Sequence, residues 1–286
     1  MKKSESIKLD LPPVGVEIIT DDDPALSAIP RFTGISYCEA VLQATFGREL
    51  IVDSSSIQVC QWAPVVLGFK KPENEFERSI NTHLPAGTAS LLLAPIARFT
   101  ERRKPDVVII RAQADTYRSI LEILGYDKFI PFREYNRDET ALAVFSEEPL
   151  KGFPRWAISN VNRWLSWMNR FSWWQGVTTF LFRSTTVSRI FDRFITKYMA
   201  NMSLCRNSTV IPYQTGRANI SFFCTGGIAW GKNFPDFMTS GFPYKIYREI
   251  EGSLLFPGVP GFEESERYRR LRNETIGNAG NRTEST

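Results

Sequence analysis

Four cysteines, Cys38, Cys60, Cys205 and Cys224, and one histidine, His83, carry the most chemically versatile side chains of this 286-residue chain. A thiolate is both a nucleophile and a soft metal ligand, so four of them can hold a zinc ion or an iron–sulfur cluster, or exchange electrons as thiol and disulfide. Spacing leaves the choice open, because no Cys-x-x-Cys pair is present. Three readings stand side by side: reduced cysteines that fill the core, a metal or iron–sulfur site, and thiol redox chemistry. A multi-histidine metal centre is excluded, and any Ser-His-Asp or Cys-His apparatus would depend on His83 in the polar loop "NTHLPAG". The acidic run "DDDP" (21–24) reads as a solvated turn, and Asp106 simply precedes an apolar strand. No acid pair has a spacing that demands a catalytic role, so residue types alone do not make the chain an enzyme.

The elements around these cysteines follow from local signals. Ser36 and Glu39 form a capping box, so Cys38 is expected near the second position of a helix that Gly47 ends. There the unpaired N–H groups and the helix dipole favour a thiolate. "VGVEII" (14–19) and "LIVD" (50–53) suit strands, and "WAPVVLG" a short helix stopped by Gly68, with Cys60 just ahead of it. "SLLLAPI" (90–96) and "DVVIIR" (106–111) are continuous apolar runs, as in strands covered on both faces. A helix follows in "ADTYRSILEILGY", with Asp115 expected as its N-cap and Gly125 past its end. Further on, "NSTVIPYQTG", "RANISFFCTGGIAWGK" and "PDFMTSGFPYKI" are expected as strands and glycine turns. Cys224 would end a strand beside Gly226 and Gly227, whose backbone N–H groups can approach an anionic ligand or cluster. The fold class is α/β: a mixed-sheet α/β (α+β) core with an amphipathic α-hairpin insertion. Its parts are a first core segment (10–150), a helical arm (151–204), a closing core segment (205–262) and a disordered tail (263–286).

The arm holds five of the seven tryptophans: Trp156, Trp164, Trp167, Trp173 and Trp174. Two amphipathic helices fit it, one with Ala157, Val161, Trp164, Met168 and Phe171 on a face, the other with Val187, Phe191, Phe194, Ile195, Tyr198 and Met202. Packing on the core is one role for these stripes. Docking to a membrane surface or a membrane protein is another, since tryptophan and arginine suit the interface. The uncharged stretch 171–182 is too short to span a bilayer, which takes about 20 residues. Nucleic acid is disfavoured, with no binding motif and a net charge of only +4.

"LPPVGVEII", "YCEAVLQATFGRELIVDSSSIQVCQWAPVVLGF", "LLLAPI", "PDVVIIRAQADTYRSILEIL" and "VIPYQTGRANISFFCTGGIAWG" occur in this order. In this the chain resembles the uncharacterised ArCR family, domain of unknown function 169, over residues of about 10–150 and 204–262. The resemblance implies cysteines at positions 38, 60, 205 and 224, and so strengthens a shared site. The chain departs from the family pattern at Gln61-Trp62, where Pro-Gly is usual, and at Ile228-Ala229, where an arginine is usual. The family brings an architecture but no reaction.

Composition agrees with a globular protein, at 43% hydrophobic and 23% charged residues. "MKKSESIKLDLPP" lacks an apolar stretch behind its lysines, so a cytoplasmic location, peripheral to the membrane if the arm docks, is the expectation. Thiols there are kept reduced. The expected function is a cysteine-site protein, with Cys38, Cys60, Cys205 and Cys224 holding an iron–sulfur cluster or zinc, in redox or cofactor-related metabolism. The alternative is a non-catalytic small-molecule or protein binding module with structural cysteines.

Overall fold

Capping and turn chemistry set the boundaries of the first elements. The computed structural model describes residues 6–130, 204–221 and 238–273, apart from 21–25, 35, 59, 61–62, 74, 79–82, 86, 261, 267 and 271. Strand β1 (Ile7–Lys8) leads to β2 (Val14–Ile19). Helix α1 (Tyr37–Thr45) begins as expected: Ser36 is extended, and its Oγ accepts the Glu39 N–H at 3.3 Å, satisfying one orphan donor of the first turn. Gly47, at φ 101°, turns the chain from α1 toward β3 (Leu50–Asp53). Short helices α2 (Ala63–Val66) and α3 (Glu75–Arg78) come next, then β4 (Ser90–Pro95), β5 (Val107–Ala112) and α4 (Ala114–Leu124). The N-cap of α4 is Gln113 rather than Asp115, which lies in the first turn, where a carboxylate favours the helix dipole.

The larger departure lies past residue 204. Within "NSTVIPYQTG", expected as strand and turn, the chain is helical: Arg206–Val210 form a π-helical turn that runs into α5 (Ile211–Thr215). Thr209, Val210 and Ile211 are β-branched and suit strands. Pro212, however, has the fixed φ of a helical first turn, and Gly216, left-handed at φ 65°, caps the end. The hydroxyls of Ser208 and Thr215 donate to the carbonyls of Leu204 and Ile211 at 2.6 and 2.8 Å, a bond back along the helix that a strand does not offer. Strands β6 (Asn219–Ser221) and β7 (Met238–Pro243), helix α6 (Tyr244–Ile250) and strand β8 (Leu254–Leu255) follow.

Among the described residues one antiparallel sheet runs in the order β3-β4-β2-β5-β7-β6, while β1 and β8 form a separate parallel ladder. The fold is therefore mixed α/β, as expected. Pairing of β5 with β7, from Val107 opposite Pro243 to Ala112 opposite Met238, joins the early and late parts of the chain in one sheet. On one face Val14, Val16, Leu91, Leu93, Val107 and Ile109 pack with Ala40, Val41 and Ala44 of α1 and with Leu204 and Val210. On the other, Val108, Ile110 and Phe242 pack with Tyr117 and Ile120 of α4 and Ile246 and Ile250 of α6. Cover on both faces explains why β4 and β5 are almost wholly apolar.

Asp106 fastens the entry to β5. Its Oδ2 accepts the Ile18 N–H at 2.7 Å, and its carbonyl accepts the Tyr244 N–H at 2.9 Å. Burial pushes its carboxyl above the usual range, as does neighbouring Glu17, against the pull of the Ile18 bond. Near the C-terminus, Tyr268 is buried against Leu11, Leu42 and Phe46, its ring 5.6 Å from that of Phe46. Residues 131–203, which include nearly all of the tryptophan-rich arm, and the tail from 274 on lie outside the described residues. Among the described residues no helix is long and apolar enough to cross a membrane.

Candidate functional site

Three of the four cysteines come to the α1 face of the sheet from separate stretches of chain. Cys38 is the second residue of α1 and 8% exposed, and Cys205, just ahead of the π-helical turn, is 2% exposed. Both belong to the core cluster on that face, and half-buried Cys60 packs against the same cluster. Cys224 lies outside the described residues, as do Gly226 and Gly227.

The turn after β3 brings in Cys60. Asp53 Oδ1 accepts the Ser55 N–H at 2.9 Å, the Ser55 hydroxyl at 2.7 Å and the Ser56 hydroxyl at 3.0 Å, while Oδ2 pairs with Arg31. Burial pushes the Asp53 carboxyl up, but the Ser55 and Ser56 bonds, together with Arg31, outweigh it and hold the group below the usual carboxylate range. The turn closed in this way passes through buried Ile57 toward Cys60.

Cys205 is placed by the seating of its helical segment on β7. A Cβ at Gly241 would lie 2.1 Å from the Ser208 carbonyl oxygen and 2.6 Å from Pro212 Cγ, so only glycine lets the helix come this close. Asn219, opposite Gly241 on β6, donates its Nδ2–H to the Asn207 carbonyl at 2.7 Å. That bond satisfies a buried carbonyl inside the π-helical turn, a geometry often found at functional sites.

The two segments meet through hydroxyls. Tyr37 Oη and Thr209 Oγ1 are 2.8 Å apart, tying α1 to the π-helical turn. Burial pushes the Tyr37 phenol far above the usual tyrosine range; the Thr209 bond and Arg111 act the other way, and nearby Cys205 and Cys38 push it further up. The hydroxyl is therefore protonated. Alternation along β5 puts Arg111 on the same face as Val107 and Ile109, opposite Thr239 of β7. Arg206, Asn207, Ser208, Thr209 and Asn219 are all buried.

Among the described residues no group of three or more His, Cys, Asp and Glu side chains is arranged to hold an ion, so Cys38, Cys60 and Cys205 do not by themselves form a metal-holding triplet. His83 lies in a loop, its Nδ1 3.3 Å from the Val65 carbonyl. The residue types left out of the sequence-based site are Tyr37, Thr209, Arg111 and Arg206. Their signals were the tyrosine beside Cys38 in "SYCEA" and the polar run "RNST" directly after Cys205.

Residues 187–253 match the model of the uncharacterised ArCR family, the family that the residues themselves resemble. The matched span takes in Cys205, the π-helical turn, α5, β6, β7 and α6. No curated protein matches the chain, and no solved structure does.

Proposed function

We propose that the protein is a cysteine-site protein of redox or cofactor-related metabolism, with its site on the α1 face of the sheet. One observation carries the reading: Cys38, Cys60 and Cys205, distant in sequence, pack around one core cluster. In its metal form Cys38, Cys60, Cys205 and Cys224 are the ligands of an iron–sulfur cluster or a zinc ion, and the N–H groups around Gly226 and Gly227 are further donors. A cluster would supply one-electron transfer, and zinc a fixed cationic centre. Of the charged groups on this face, the Arg111 guanidinium would offset part of the charge of several thiolates in an apolar layer.

Anaerobic purification tests this. Iron with acid-labile sulfide, or zinc, is expected in the isolated protein, with that content lost in Cys38→Ser and Cys205→Ser variants that retain their circular dichroism. A colourless, metal-free protein with four reactive thiols would overturn the metal form. It would favour the second reading, a non-catalytic small-molecule or protein binding module with structural cysteines. The observation behind that rival is the lack of a metal-holding triplet among the described residues.

The arm at 151–204 is proposed to dock this cytoplasmic protein to an anionic membrane or to a membrane protein. Co-sedimentation with vesicles rich in anionic lipid should weaken as salt is raised, and should fall when Trp173 and Trp174 become serine. Equal binding to neutral and anionic vesicles, or none to either, would contradict docking to lipid.

A further inference from the structure

We propose that Asn219 is a positioning residue of the cysteine site: its side-chain amide holds the π register of Arg206–Val210 and so keeps Cys205 in the α1-face core. The inference rests on the cysteine-site reading for its purpose, while the register itself follows from hydrogen bonds. In an α-helix the Ile211 N–H would donate to the carbonyl of Asn207, four residues back; here it donates to that of Arg206, five back. The same offset would pair the Asn207 carbonyl with the N–H of residue 212, and Pro212 has none. A buried carbonyl still needs a donor. Asn219, 3% exposed, supplies it from β6, its Nδ2–H meeting the Asn207 oxygen at 2.7 Å. With that oxygen occupied from outside the helix, the Ile211 N–H is left to Arg206 and the turn stays wide.

The register decides where Cys205 lies. A π turn takes in one residue more than an α turn, so closing it would rotate Leu204 and Cys205 by roughly 100° about the axis relative to α5. The far side of the turn is fixed, by the close seat of Pro212 on Gly241 and by the left-handed cap at Gly216. In the wide turn Leu204 and Cys205 are each 2% exposed and belong to the cluster that holds Cys38 and against which Cys60 packs. Thr209, inside the turn, meets Tyr37 of α1 at 2.8 Å. The α register would carry Cys205 away from this cluster, and Asn219 acts against that rotation from a neighbouring strand.

The test uses the full chain, treated with a chelator under anaerobic conditions so that the fold alone protects the thiols, then alkylated by iodoacetamide without denaturant. Peptide mass spectrometry gives the rate at each cysteine. In Asn219→Ala the rate at Cys205 should rise about tenfold or more over the parent, the shift expected when a buried carbonyl loses its donor. Cys60, on a separate stretch of chain, should keep its parental rate. Adding Pro212→Ala should restore the protection of Cys205, because residue 212 then offers its own N–H to the Asn207 carbonyl, and Pro212→Ala alone should match the parent. Four results would each overturn the proposal: Cys205 unchanged in Asn219→Ala, Cys60 rising with it as in a general loosening, no rescue in the double variant, or Cys205 unmasked by Pro212→Ala alone. If Asn219→Ala does not fold, the double variant decides: recovery of the parental circular dichroism supports the proposal, and failure to fold overturns it. Metal content measured before chelation separates this inference from the reading beneath it. A metal-free parent in which Asn219→Ala unmasks Cys205 sinks only the metal form, and a metal-bearing parent in which it does not sinks only the positioning role.

Discussion

Alanine in place of Gly241 is expected to destabilise the protein by about 3 kcal/mol or more, the upper end for overpacking. The added methyl would meet the Ser208 carbonyl oxygen at 2.1 Å and Pro212 Cγ at 2.6 Å, and neither is the far end of a flexible chain that could swing away. Gly241 does not have a positive φ, so the cost comes from the close approach and not from its own conformation. Gly252→Ala is the control: no atom lies within 4 Å of its added Cβ, and its change should stay within about 0.5 kcal/mol. Urea denaturation of the three proteins gives the comparison. A Gly241→Ala protein as stable as the parent would mean that the helical segment bearing Cys205 does not rest on β7.

Asp53→Ala should cost about 1–2 kcal/mol, because it removes three bonds of the turn and strands the buried Ser56 hydroxyl, while exposed Ser55 turns to water. Arg31→Ala should cost less than about 1 kcal/mol, since the Arg31 side chain is mostly exposed and its ion pair is screened. The pH dependence has a definite sign. Asp53 is held below the usual carboxylate range, so its contribution is complete above the unfolded-state pKa of about 4 and is lost as pH falls through the lower folded value. The stability gap between parent and Asp53→Asn should accordingly narrow below about pH 4. Asp106, pushed the other way by burial, adds a term of opposite sign, with stability from that group falling as pH rises through its folded value.

What was legible in the sequence was local. The capping box at Ser36 and Glu39, the glycine stops at Gly47 and Gly68, and the apolar runs of β4 and β5 depend on neighbours within a turn or a strand, and each is where it was expected. The order of the sheet was not legible, because β2 lies between β4 and β5 through contacts that no short window contains. The π-helical turn was misread because β-branched residues outweighed Pro212 and Gly216 in a short stretch, whereas the seat on Gly241 decides the matter in three dimensions. The same holds for the site. Capping placed Cys38 correctly, but only tertiary packing ties Tyr37 of α1 to Thr209 of the π-helical turn that follows Cys205, and no spacing in the sequence encodes that contact.

The cysteine-site account is tested most directly by the sulfur positions themselves, located by anomalous scattering in crystals grown anaerobically from protein that has kept its metal. Bonds from sulfur to zinc or iron are about 2.3 Å long. The account predicts that the sulfurs of Cys38, Cys60, Cys205 and Cys224 lie within several ångströms of one another around a shared metal signal. Sulfurs spread over more than about 10 Å, each enclosed by aliphatic side chains and with no metal signal among them, would contradict it.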